Sequence, residues 1–268
     1  MPIQIRLMLA ATALLITAGL AADEAQGVAA AAPVAVPVGL TPHAAEYKVK
    51  VSGVSGRLTT RLERRGDDFE ALHVIEATGF AGLFARGEVR ELSRFRDFGR
   101  GLLPLHYEAR NTLRQDSGAN LDFNWDSGRV TGSVFEDGTN TSVDVALDEP
   151  MFDRLAVQYR LMSDLALGGT ETLDAGSDGD APGRASYILF DGDESDTLDI
   201  TTIGARAIKT RAGTFDTIGV QHQKQGSSRR TLLWLAPELD YLPVLIEQYR
   251  RDDLKVRATL RDYDTLDD

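Results

Sequence analysis

From residue 45 onward, apolar and polar positions mostly alternate. In Arg57-Leu58-Thr59-Thr60-Arg61-Leu62-Glu63, Leu58 and Leu62 share one face and Arg57, Arg61 and Glu63 the other. In Leu105-His106-Tyr107-Glu108-Ala109-Arg110, the face Leu105/Tyr107/Ala109 opposes His106/Glu108/Arg110. Lys255–Arg261 repeats the pattern, with Val256, Ala258 and Leu260 directed inward. Successive strand side chains point to opposite faces, so this pattern predicts half-buried antiparallel strands. Turn-forming groups separate the runs: Arg65-Gly66-Asp67-Asp68, Asp116-Ser117-Gly118, Asp126-Ser127-Gly128-Arg129 and Glu136-Asp137-Gly138. The spacing predicts consecutive hairpins, roughly a dozen strands or more.

One segment departs from this period. Asp148-Glu149-Pro150 leads into MFDRLAVQYRLMSDLALGG, where Leu155, Tyr159 and Met162 fall at helical spacing and glycines follow. Those signals predict a single helix over about residues 150–168. A sheet with one apolar face needs a covering element. The expected fold is therefore mainly β, a long curved antiparallel sheet or partly open barrel packed on one central helix.

The stretch LLWLAPELDYLPVLIEQY, residues 232–249, reads as strand, connection and strand. Pro243 opens the second strand, where a missing N–H costs no central ladder bond.

The N-terminus changes the picture. Arg6 precedes the uncharged run Leu7–Ala22, which ends in small residues before Asp23-Glu24. This is the layout of a cleaved signal peptide, and the run is shorter than the roughly 20 residues of a membrane span. The expected organisation is a signal peptide at 1–22, an Ala/Pro-rich linker at 23–44 that includes His43, and one β-rich domain at 45–265. Periplasmic location is expected, with no transmembrane anchor after cleavage.

The 268 residues carry a formal charge of -12 and no cysteine. Thiol chemistry, disulfides and lipid attachment at a cysteine are excluded. The charge argues against general nucleic-acid binding, which needs a dominant basic field. The acidity is concentrated in residues 115–200, where 19 acids face 4 arginines.

Motifs for chemistry are weak. His43, His73, His106 and His222 form no short metal-ligand spacing. Ser52-Gly53-Val54-Ser55-Gly56 lacks the frame of a nucleophile turn. No catalytic residue is assigned and no cofactor is expected. Asp191, Asp193 and Asp196 are the candidate cation ligands, because hard oxygens crowd there, although Asp196 stands where an EF-hand needs glycine. Arg61, Arg90 and Arg110 with Glu63, Glu88 and Glu108 are read as cross-strand ion pairs on a solvated face.

The order of several segments resembles domain-of-unknown-function family thirty-one-oh-eight, exported proteins of Gram-negative bacteria. The segments are Tyr47-Lys48-Val49, Leu102–Tyr107, Phe123-Asn124-Trp125-Asp126, the helix around Leu155–Leu161, Arg211–Asp216, and the Leu-Trp-Leu-Ala-Pro and Tyr-Leu-Pro-Val pieces of 232–249. They span residues 45–263. The resemblance implies a periplasmic, mainly β protein and supplies no catalytic residue.

Three functions follow as expectations. The first is an envelope protein binding a hydrophobic or amphipathic ligand such as a lipid, in a cavity lined by Leu, Phe, Trp and Tyr. Trp125, Tyr159, Trp234 and Tyr241 are its candidate ligand-binding residues. The second is an interaction or assembly factor with envelope-protein partners. The third is a hydrolase of envelope polymers.

Overall fold

The structure is a computed structural model, and it describes residues 40–79, 87–98, 101–113, 116–168, 183–190, 192, 194–223 and 227–266. The proposed signal peptide lies outside them. The first half is a run of antiparallel strands: β1 (His43–Val51), β2 (Val54–Arg65), β3 (Asp68–Ala77), β4 (Glu88–Asp97), β5 (Leu102–Asn111), β6 (Ser117–Asn124), β7 (Arg129–Glu136) and β8 (Thr139–Ala146). A two-residue strand, β9 (Met151–Phe152), leads into the helix α1 (Ala156–Gly168). The second half holds β10 (Arg184–Phe190), β11 (Ser195–Lys209), β12 (Thr214–His222), β13 (Arg229–Ala236), β14 (Leu242–Arg250) and β15 (Asp253–Thr265).

All fifteen strands form one sheet in the order β8-β7-β6-β5-β4-β3-β2-β1-β15-β14-β13-β12-β11-β10-β9. The first strand therefore pairs with the last, and each half is a meander spreading away from that seam. Only β9 and β10 run parallel. The sheet curls so that its ends approach: a methyl group placed on Gly192, between β10 and β11, would lie 2.5 Å from Val134 on β7.

The alternation settles which face is inside. Leu58 and Leu62 on β2, Phe69 and Ala71 on β3, and Ala258 and Leu260 on β15 are buried. On α1, Tyr159, Leu161, Met162 and Leu165 are all at most 2% exposed. The helix thus fills the concave side, and each such apolar side chain contributes about 1.5–3 kcal/mol by leaving water. On the convex face Arg57 pairs with Glu76 at 2.9 Å, Arg94 with Glu70 at 3.2 Å and Arg96 with Asp68 at 2.5 Å, and Arg61 pairs with Glu63.

Two expectations need correction. The helix does not start near residue 150: Met151 and Phe152 pair with Ile188 and Leu189 as β9, and Asp153 caps the helix in place of Asp148 or Glu149. His43 is not in a linker: it opens β1 opposite Leu62 and is 2% exposed. The polar Thr41-Pro42-His43 sequence hides a strand start that only pairing with β2 and β15 creates.

Candidate functional site

Two groups of polar side chains stand out, one on each face of the sheet. The inner group surrounds the start of α1. Asp153 is fully buried. Its Oδ1 accepts the N–H groups of Leu155 at 2.9 Å and Ala156 at 2.8 Å, and its Oδ2 accepts the Ser93 hydroxyl at 2.8 Å. These bonds satisfy free N–H groups at a helix start. Burial still raises the Asp153 carboxyl to about 6, against the pull of those donors. Next to it, the Tyr107 hydroxyl donates to Glu91 at 2.8 Å and accepts from Arg154 Nε at 3.0 Å, while Arg154 also pairs with Glu91 at 3.1 Å. Burial and the Glu91 charge push the Tyr107 phenol up.

Further along the concave face, His73 Nε2 lies 3.3 Å from the Tyr159 hydroxyl, and burial lowers His73 to about 4. His43 Nδ1 donates to the Thr41 carbonyl at 2.8 Å. Neutral His43 then carries its lone pair on Nε2, which is buried without a partner, as is Thr60 Oγ1. At the far side of α1, Asp164 Oδ2 accepts from Arg160 Nε at 2.7 Å and from the Tyr187 hydroxyl at 2.9 Å. These contacts fasten the helix to β3, β4, β5 and β10. Their chemistry is positional.

The outer group lies on the convex face of the second half. Gly219, Trp234 and Leu245 are cross-strand neighbours on β12, β13 and β14. Gly219 leaves room that the Trp234 indole fills: a methyl group there would meet the ring at 2.7 Å. The Arg206 guanidinium lies 3.7 Å from the centre of that ring, a cation–π contact. Glu247, almost fully buried, accepts from Arg257 at 3.1 and 2.5 Å and lies 3.8 Å from Arg206. Arg206, Ala207, Ile208, Lys209, Leu245, Glu247, Tyr249, Arg257 and Thr259 line a groove of about 430 Å³. On this face the strands present two cations, Arg206 and Arg257, and one acid, Glu247; Lys209 alternates to the opposite face of β11. The Trp234 Nε1 proton, beside the groove, is buried without an acceptor.

The four candidate ligand-binding residues do not converge. Trp125 follows β6, donates its Nε1 proton to the Pro104 carbonyl at 2.7 Å and packs near Phe98. Tyr159 is inside, against His73 and Phe95. Trp234 is on the opposite face. Tyr241 sits at φ 60° just after the 3₁₀ turn Pro237–Leu239, half-buried against the core. Asp191 and Asp193 lie outside the described residues. Asp196 is on β11 opposite Leu189. Among the described residues no group of three or more His, Asp or Glu side chains is placed to hold a metal ion.

Arg206, Lys209, Glu247 and Arg257 were not singled out from the sequence. One signal was available: Glu247 is the lone acid in the apolar run Leu242–Ile246 and its flank. Which cations face it depends on the register of β14 with β15 and on the turn between β11 and β12.

A curled, incompletely closed sheet around a single helix defines a barrel-like β protein. The chain belongs to the family described as protein of unknown function DUF3108, whose model matches residues 45–260. No curated protein matches it in sequence. Among solved structures it is similar to a β-barrel-like protein of DUF1849 from Brucella abortus, at 10% identity and a TM-score of 0.52, covering 85% of this chain and 99% of that one. It also matches a protein described as exported, with a YmcC-like fold, from Bacteroides fragilis, at 10% identity and a TM-score of 0.35 over 84% and 95% of the two chains. A third match, described as a lipoprotein from Parabacteroides distasonis, has 12% identity and a TM-score of 0.34 over 84% and 95%. The first likeness concerns the fold alone.

Proposed function

We propose that this protein is an exported, periplasmic envelope protein that binds an amphipathic, lipid-like ligand without transforming it, using the convex groove between β11 and the β14–β15 pair. One observation carries the reading. The groove joins an apolar wall of Ile208, Leu245 and Tyr249 to a cationic rim of Arg206 and Arg257. A wall of that kind takes the apolar part of a ligand, while a few placed polar groups fix its orientation. The concave side, where the sequence pointed first, is occupied by α1, and apart from His43 Nε2 and Thr60 Oγ1 the polar groups described there are engaged with one another. Export rests on the Arg6 to Ala22 pattern. No helix among the described residues is long and apolar enough to cross a membrane.

Native mass spectrometry of protein isolated from the periplasm without detergent tests this reading. A reproducible excess mass that extracts into organic solvent is expected. A bare protein mass, unchanged after incubation with envelope lipids, would sink it.

A second reading, an assembly role with an envelope-protein partner, draws on β8. That strand ends the sheet, is paired on one side only and exposes most of its side chains. An open edge accepts a further strand through main-chain bonds.

A further inference from the structure

We infer that the convex groove recognises a phosphoryl group, held between Arg206 and Arg257. This rests on the amphiphile-binding reading above and names the head group it would take. The two arginines come from separated parts of the chain, β11 and β15, and the sheet brings them to one groove. Arg206 and Arg257 remain about half exposed although each faces Glu247. Each guanidinium carries five N–H donors in a planar fork, so a single carboxylate leaves donors unused.

Glu247 explains how the two arginines stay together. Its side chain is 6% exposed and accepts both a 3.1 Å and a 2.5 Å bond from Arg257. It acts as an internal counter-charge that orients Arg257 and lies within 3.8 Å of Arg206. It neutralises only one of the two guanidinium charges, so the groove face keeps an excess of one. A phosphoryl group brings at least one negative charge and tetrahedrally arranged oxygens to two such forks. A carboxylate offers two oxygens in one plane and reaches fewer of the donors on two separate strands.

Arg206 is held for this purpose by the stack on Trp234 at 3.7 Å. The stack leaves the edge of the guanidinium available for in-plane hydrogen bonds. A second groove, about 310 Å³ over Ala44, is lined by Arg61 together with Glu46, Asp262 and Asp264, and its charge balance opposes an anion.

The test is titration calorimetry of the mature protein with three probes: a short-chain phosphatidic acid below its micelle concentration, the diacylglycerol of the same chains, and inorganic phosphate. The phosphatidic acid should bind, and the diacylglycerol should bind at least about tenfold more weakly, the loss expected for a charge-assisted pair. Arg206→Gln should weaken phosphatidic acid binding by about tenfold, and Lys209→Gln, on the opposite face of β11, should leave it unchanged. Glu247→Gln should tighten it several-fold by removing the competing charge. Equal binding of both lipids, unchanged by Arg206→Gln, would overturn the phosphoryl site and leave the amphiphile reading standing. Binding of inorganic phosphate alone, sensitive to Arg206→Gln, would support the phosphoryl site with a free phosphate source and overturn the lipid reading. No binding of any probe would overturn both.

Discussion

Asp153 and the buried histidines pull the stability of this protein in opposite directions with pH. The Asp153 carboxyl stands at about 6 in the fold against 3.8 ordinarily, because it is buried. The folded state therefore binds this proton more readily than the unfolded chain, and Asp153 favours folding increasingly as pH falls between about 6 and 4. His73 and His222 are lowered by burial from 6.5 to about 4. For them the unfolded chain takes protons first, so stability is present above about 6.5 and is lost as pH falls towards 4. Two histidines outweigh one carboxylate, and acid should destabilise the protein across this window. Asp153→Asn keeps the capping oxygen and removes the opposing contribution. Denaturant unfolding near pH 7 and near pH 5 should show the variant losing about 1 kcal/mol more than the parent over that interval. An equal loss would mean that Asp153 does not titrate there. Gly219 gives a second prediction at this scale. Its substitution by Ala drives a methyl group to within 2.7 Å of Trp234 and 2.8 Å of Ile203. We expect a loss of about 1–3 kcal/mol and a change in tryptophan fluorescence; an unchanged spectrum and stability would contradict the indole packing.

Among the elements, α1 is the one whose removal would empty the concave side. Leu161→Ala should cost about 2–5 kcal/mol, as for other fully buried leucines. Tyr159→Phe keeps the ring and loses only the bond to His73, about 1 kcal/mol. Thermal or denaturant unfolding of the pair separates packing from hydrogen bonding; equal losses would mean that the Tyr159 hydroxyl carries more than one ordinary hydrogen bond. On β7, Gly132 has φ 147°, and a methyl group there would lie 2.0 Å from the Asn120 carbonyl. Gly132→Ala should therefore break the β6–β7 ladder, read as loss of amide exchange protection at Leu121 and its neighbours; retained protection would count against that register.

Strands were legible in the sequence because period two survives wherever one face is buried: Leu58, Leu62, Ala258 and Leu260 all point inward as read. The helix was legible from Leu155, Tyr159 and Met162, but its start was not. Asp148 and Asp153 are equally good caps in isolation, and Asp153 is the one that also accepts from Ser93, about sixty residues away in sequence. The convex groove was not legible for the same reason. Arg206 and Glu247 meet only after β12 and β13 have set the distance between their strands, and no local pattern records that distance. His43 misled the reading because a polar residue after a proline-rich run gives no sign of the Tyr159 and Tyr263 rings that enclose it.

At the scale of the molecule, the central pairing of β1 with β15 holds two meanders together. It places Tyr47 beside Leu260, both buried, and the Leu266 N–H donates to the Pro42 carbonyl at 2.9 Å. The two ends of the domain are therefore neighbours. Deleting β15 would bare the pairing edges of β1 and β14 together, and a chain ending before Asp253 should show no cooperative unfolding transition by circular dichroism. A sharp transition would show that each meander folds alone. The strand order also carries a timetable. A chain leaving the ribosome can build the hairpins from β1 to β8 as they appear, but one edge of β1 stays bare until β15 has been made. A copy without β15 cannot close the seam, so under the export route proposed above the two meanders stay unjoined until that strand arrives.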